Sequence, residues 1–238
     1  MKLLPNPLLR IADIKTLSEL AKSKNLLSIV DNTFMTPILQ RPLELGADIV
    51  IHSATKFLGG HNDVIAGLVA VKNEQLAEKI SYLQNAMGAV LGPQDSWLLI
   101  RGLKTLGLRI TAQETNAKGL AQWLSTHSLV AKTYYPGLTD HPGHNVLKTQ
   151  AEGFGAIISF ELKAVELIPK VLRQVKIISF AESLGGVESL ITYPWTQTHA
   201  DIPIQTRERL GVNDRLLRFS VGIEDVQDLI DDLSQVLG

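Results

Sequence analysis

Apolar positions first recur at three- and four-residue spacing just after a Pro-Asn-Pro turn. Ile11, Ile14, Leu17, Leu20 and Ala21 fall on one side of a predicted helix that ends near Asn25. The pattern then changes to an unbroken apolar run, Leu26 to Val30, which stops at Asp31 and reads as a strand buried on both faces of a parallel sheet. A short helix from Pro42, capped by Gly46, leads to a second such run, Ala47 to Ile51. Strands joined by a helical crossover are parallel, so their carboxyl ends share one sheet edge, where open α/β sheets bind ligands. Asp31 and the cluster Ser53 to Lys56 both fall on that edge. A third strand is predicted from Ile65 to Val71, followed by helices from Asn73 to about Met87, Pro93 to Gly102 and about Thr105 to His127. The last is long enough to link two domains. Beyond it the pattern shifts to short strands at Val130–Tyr135, Ala156–Glu161, Ile177–Phe180, Val187–Tyr193 and Leu216–Val221, with helices near Val165–Val175 and Asp225–Leu237. The expectation is a partial parallel-type sheet domain over residues 1–105 and a smaller α/β domain over 106–238.

Composition narrows the partners. Among 238 residues, 23 Lys and Arg nearly cancel 24 Asp and Glu, and no long run of one sign occurs. That leaves no electrostatic footprint for nucleic acid or an anionic membrane, and points to a small molecule or another protein. With no cysteine, disulfides and thiolate metal sites are excluded. His52, His61, His141, His144 and His199 show no metal-ligand spacing. No run reaches the ~20 apolar residues that span a bilayer, and the opening MKLLPNP lacks a signal core, so the cytosol is expected.

The candidate chemistry lies in VIHSATKFLGGHND, where a lysine closes a buried strand between hydroxyls and two glycines. A solvated lysine in an ordinary glycine turn is one reading of these residues. The other follows from their company: Ser53 and Thr55 offer hydroxyls, and Gly59 and Gly60 allow close backbone approach, as a phosphate requires. Lys56 offers an amine able to form a Schiff base with an aldehyde, and Asp31 a carboxylate able to keep a pyridine nitrogen protonated. Together these residues describe a pyridoxal phosphate site. Ser53-Ala54-Thr55-Lys56 also fits the Ser-x-x-Lys of penicillin-recognising acyl enzymes, but that motif opens a helix and needs Ser-Asp-Asn and Lys-Thr-Gly partners, which are absent.

The stretch VDNTFMTPILQRPLELGADIVIHSATKFLGGHNDVIAGLV resembles the cofactor-binding segment of the Cys/Met-metabolism pyridoxal-phosphate enzymes, the transsulfuration family. The likeness continues through GPQDSWLLIRGLKTLGLR, ESLGGVESLITYP, THADIP and LLRFSVGIED. It implies the carboxyl-terminal part of an aspartate-aminotransferase-like (fold type I) enzyme that uses pyridoxal 5′-phosphate and an amino-acid substrate, as a homo-oligomer. By the same resemblance Lys56 would carry the cofactor, Asp31 would pair with its ring nitrogen, and Ser53 and Thr55 would bind its phosphate. Asn6 would sit near the ring hydroxyl, Arg218 would clamp the substrate carboxylate with Ser189 beside it and the lysine, and Glu188 would read the distal end of the substrate or structure its loop. The motifs are most similar to cystathionine γ-synthase and O-acylhomoserine sulfhydrylase, with cystathionine β- and γ-lyases sharing nearly all of them. Family members also carry a long portion ahead of the position matching Asn6, so the expectation includes a truncated product, a fragment or half of a split protein, either active or a catalytically silent assembly partner.

Overall fold

The computed structural model describes residues 7–238; Asn6, expected beside the cofactor ring, lies outside them. Helix α1 (Ile14–Ser23) starts where the Asp13 carboxylate accepts hydrogen bonds from the amide and hydroxyl of Thr16, at 2.9 and 2.8 Å, satisfying an amide of the first turn. The chain then forms β1 (Ile29–Asp31), the short α2 (Thr36–Leu39), β2 (Ile49–Ser53) and β3 (Gly67–Val71). Strand β1 runs parallel to β2, setting Asp31 opposite Ile51. The predicted helix at Pro42 is instead a set of turns whose amides reach carbonyls three residues back, ended by Gly46 at φ +102°. Helix α2, not foreseen, is held by the Asn32 side-chain amide, which donates to the carbonyls of Thr36 and Gln40.

Strand β3 departs from the expectation of a parallel sheet, because it pairs antiparallel with β2 and places Ser53 opposite Gly67. The reason is the connection. Residues 54–66 double back in turns without a crossover helix, so the chain re-enters the sheet in the opposite direction. Among the described residues the strand order is β1-β2-β3, and both outer strands are edges. Burial also differs from the prediction: Val30 and Val50 are buried, whereas Leu26, Leu27 and Ile29 are exposed, as are Leu68 and Val69 on β3. Ile29, Ile51 and Val69 share one exposed face, Val30 and Val50 are buried on the other, and at β3 both faces are open because Leu68 and Val69 point to opposite sides.

Helices α3 (Glu74–Met87), α4 (Pro93–Leu103) and α5 (Leu106–Thr126) follow. Helix α3 begins at an Asn73 cap, ends at left-handed Gly88 and buries none of its residues. Helix α5 does the opposite. It buries Leu106, Ile110, Ala117, Leu120, Ala121 and Leu124, and also Arg109, Gln113 and Glu114, so its apolar stripe is interrupted by polar groups with partners elsewhere. It packs against α2, α9, β4 and β5.

The remaining elements are β4 (Val130–Tyr134), α6 (His144–Gln150), β5 (Ile157–Leu162), α7 (Leu167–Gln174), β6 (Ser179–Phe180), β7 (Leu190–Thr192), α8 (Ile204–Leu210), β8 (Leu216–Ser220) and α9 (Val226–Leu237). Their strands form a second sheet in the order β4-β5-β8-β7-β6, antiparallel except for the β6–β7 pair. Its strands β5 and β8 are buried along nearly their whole length. Val50, Phe57, Ile110, Ile158 and Phe219 belong to one contiguous apolar core, which brings the carboxyl edge of the first sheet against the loops of the second.

A lysine-centred candidate active site

Strand β2 delivers Ser53 to the sheet edge, and the turns that follow bury Ala54, Phe57 and Leu58. This anchoring leaves Lys56 half-buried, with Nζ donating to the Ser183 hydroxyl at 3.4 Å. Loss of solvent lowers the Lys56 pKa; the positive charge of Arg218 lowers it further, and Glu182 partly opposes both. The amine is therefore easier to deprotonate than a surface lysine.

Asp31 reaches the same edge from β1. Its Oδ1 accepts from the amide and hydroxyl of Thr33, at 3.2 and 2.6 Å, and the Thr33 hydroxyl accepts from the Ser53 amide at 2.8 Å. The other oxygen of Asp31 and the Ser53 hydroxyl make no hydrogen bond among the described residues. Thr55, from the same turn, has its hydroxyl engaged within the protein. Its hydroxyl accepts from the Ala66 amide at 3.0 Å and donates to the Ala66 carbonyl at 3.3 Å, tying the turn to the start of β3.

The two glycines are shaped by what lies behind them. Gly60 takes φ +75°, and a Cβ there would collide with the Arg109 guanidinium. Arg109, on α5, donates to the carbonyls of Phe57 (2.8 Å), Leu58 (3.4 Å) and Gly102 (2.9 Å) and to the Thr105 hydroxyl (3.1 Å). A buried arginine therefore fixes the turn immediately after the lysine. From the second sheet, residues 183–187 close over this turn. The Val187 amide donates to the Gly60 carbonyl at 3.0 Å, Gly185 packs on the Phe57 backbone, and Gln113 of α5 donates to the Gly186 carbonyl at 2.7 Å.

Arg218, in the middle of β8, is only 2% exposed. Its Nη2 donates to the carbonyls of Glu182 and Ser183, both at 3.2 Å, and to the Thr192 hydroxyl at 2.8 Å, while Nε is buried without a partner among the described residues. Burial brings its pKa down to about 10, against the opposing effect of Glu182. A buried guanidinium with an unused donor is suited to a carboxylate ligand.

Two further predicted residues bond to other protein groups. Ser189, expected beside the lysine, is buried with its amide (2.6 Å) and hydroxyl (2.9 Å) on the Glu224 carboxylate, and its hydroxyl accepts from the Gly222 amide at 2.9 Å. The serine that meets Lys56 is Ser183. Both occur in ESLGGVES, and only the path of the loop distinguishes them. Glu188 accepts from the Asn62 side-chain amide at 3.0 Å. A separate cleft of about 680 Å³, lined by Arg10, Lys132, Tyr134 and His141 among others, shares no residue with this cluster.

An α/β scaffold that holds a half-buried lysine at a sheet edge, in the field of a buried arginine, has groups suited to amine chemistry on an anionic ligand. Residues 3–238 match the family described as Cys/Met metabolism PLP-dependent enzyme, and the chain belongs to that family. It is 53% identical over 232 residues to cystathionine beta-lyase of Lactococcus lactis, covering 98% of this chain and 61% of that protein. It is 54% identical over 232 residues to cystathionine gamma-synthase/O-acetylhomoserine (thiol)-lyase of Bacillus subtilis, covering 98% and 58%. The crystal structure of cystathionine gamma-lyase from Lactobacillus plantarum complexed with L-serine superposes with a TM-score of 0.96 at 49% identity, over 99% of this chain and 62% of that one. The chain thus spans about three fifths of the length of the curated relatives it matches. Among the described residues no helix is long and apolar enough to cross a membrane.

The family's cofactor is pyridoxal phosphate, and the donor set fits it. A half-buried amine, and a carboxylate oxygen and a serine hydroxyl without partners among the described residues, lie on one sheet edge. They offer, respectively, a partner for an aldehyde, a protonated ring nitrogen and a phosphate.

Proposed function

We propose that this chain carries the lysine and the carboxylate clamp of a transsulfuration enzyme, and that with pyridoxal 5′-phosphate it replaces the γ-substituent of an O-acylhomoserine by a thiol. When bound, the cofactor supplies an electron-accepting ring that stabilises negative charge at the substrate Cα. Lys56 would hold the aldehyde covalently, Asp31 would keep the ring nitrogen protonated through its unengaged oxygen, and Ser53 would bind phosphate from a turn that Thr55 secures to Ala66. Arg218 binds the substrate carboxylate in this reading. Its Nη2 is already fixed by three acceptors, so it need not be ordered when the ligand arrives. Lys56, as a free amine, would accept the proton from the substrate Cα and return it to a neighbouring carbon. Burial favours this base role, because the neutral amine becomes accessible at a lower pH than in water.

The observation that carries the reading is the single cluster of Lys56, Ser183 and Arg218, in which the reactive amine and the carboxylate clamp share one loop as neighbour. A second reading, cleavage of the C–S bond of cystathionine, is favoured by 53% identity to the cystathionine gamma-lyase of Bacillus subtilis as well as to the Lactococcus protein. Incubation with cofactor and either O-acylhomoserine plus cysteine or cystathionine alone separates the two. The first reading predicts cystathionine and free acid, the second predicts a keto acid and ammonia. No product from either substrate would favour a catalytically silent assembly partner instead.

A further inference from the structure

Just beyond the lysine turn, Asn62 holds φ +55°, a left-handed conformation that side chains other than Asn and Asp seldom adopt. Its side chain bridges two groups. Nδ2 donates to Glu188 Oε2 at 3.0 Å, and Oδ1 accepts from the Ser183 hydroxyl at 3.5 Å. Ser183 in turn accepts from Lys56 Nζ at 3.4 Å. Gly186 makes room for the bridge, since a Cβ there would lie 2.5 Å from both Asn62 Nδ2 and Glu188 Oε2.

The direction of this chain follows from what each group can do. An ionised carboxylate only accepts, so Glu188 compels Asn62 to present its NH2 and leaves the amide oxygen for Ser183. The Ser183 hydrogen then points at Asn62, and its lone pairs face the lysine. Without the amide oxygen the hydroxyl is free to rotate and donate to a neutral amine.

We propose that Asn62 is a positioning residue through which the Glu188 carboxylate sets Ser183 as an acceptor, so that the Lys56 amine is held by donating a hydrogen bond. This rests on Lys56 being the reactive amine, and extends that reading to a group at the mouth of the site. The charged groups facing Lys56 itself are Arg218 and Glu182, and both are unaltered by the test below.

Competitive acetylation of the cofactor-free chain at a series of pH values, followed by mass spectrometry of the Lys56 peptide, reads the titration midpoint of that amine. Asn62→Gly removes the bridge and tolerates the left-handed backbone. The expected result is a fall in midpoint of about half a unit, since a hydroxyl no longer locked as acceptor stops favouring the ammonium form. Glu188→Gln lowers the midpoint in the parent for the same reason, and has no further effect in the Asn62→Gly background. A Coulombic action of Glu188 on the lysine through space would leave its shift intact in that background, and would overturn the proposal. So would an Asn62→Gly midpoint equal to the parent's. Should Asn62→Gly not fold, Ser183→Ala breaks the same chain, and the Glu188→Gln shift must vanish there as well. Because the readout needs neither cofactor nor turnover, absent catalysis with these shifts present counts against the reaction assigned above and not against the bridge.

Discussion

Replacing Arg109 by methionine removes the support of the lysine turn while keeping an unbranched apolar chain on α5. In the parent, the guanidinium is the hydrogen-bond partner of the Phe57 carbonyl at 2.8 Å and of the Leu58 carbonyl at 3.4 Å, whereas Gly102 keeps the amide and hydroxyl of Thr105. The variant therefore strands two carbonyls. Each buried group left without a donor costs about 1–3 kcal/mol, with the long Leu58 contact at the low end. Against this, methionine does not incur the cost of burying a charge, which already depresses the Arg109 pKa. The loss before that offset is about 2–4 kcal/mol and the net loss is smaller, below the 5–15 kcal/mol typical of a folded protein, so the variant should fold. Urea denaturation followed by circular dichroism measures the change, and Lys56 acetylation on the same samples reports on the site. The expected outcome is a lower midpoint with Lys56 titrating closer to an ordinary lysine, as the loosened turn admits water. A stability loss below about 0.5 kcal/mol, with Lys56 unchanged, would refute the claim that Arg109 holds this turn.

Two glycines make opposite predictions by thermal melting. Gly102→Ala drives a Cβ into the Gly59 carbonyl and should destabilise by about 1–3 kcal/mol, whereas Gly107→Ala, with nothing within 4 Å, should stabilise by about 0.5–1 kcal/mol. The pH dependence of stability carries a signature of Lys56. Its folded pKa lies below the ordinary value of 10.5, so between the two the unfolded chain binds more protons and this group's contribution to stability rises with pH. Lys56→Met should flatten that rise in urea titrations at alkaline pH. The open face around Ile29, Ile51 and Val69 predicts that the chain alone brightens an anilinonaphthalene sulfonate dye and self-associates in sedimentation runs; a dark, monomeric sample would contradict it.

Much of the scaffold is legible from apolar patterning, because α1 shows helical apolar spacing and β5 and β8 are continuous apolar-rich runs. The misreadings have definite causes. Strand β3 was expected to be parallel because apolar runs carry no direction; that information lies in the segment 54–66, which returns without a helix. Helices α6 and α8 do not stand out in the sequence because each has only seven residues, and α8 carries three charged residues in IQTRERL. In the candidate site, Lys56, Asp31, Ser53 and Arg218 stand out as polar residues at strand ends or inside apolar runs. Ser183 and Arg109 do not. Their importance comes from contacts 127 and 52 positions away in sequence, which no local pattern encodes. Ser183 and Ser189 sit in one glycine-rich motif and only their contacts distinguish them: Ser183 accepts from Lys56, and Ser189 is held by the Glu224 carboxylate, reached through the turn after β8.

The central claim is that Lys56 is the amine that holds pyridoxal phosphate. Mixing the chain with pyridoxal 5′-phosphate, reducing with borohydride and locating the added mass by peptide mass spectrometry tests it directly. The account predicts a single stable adduct on the peptide containing Lys56, lost in Lys56→Ala. A chain that takes up no cofactor, or takes it up equally on surface lysines such as Lys22 or Lys79, would contradict it.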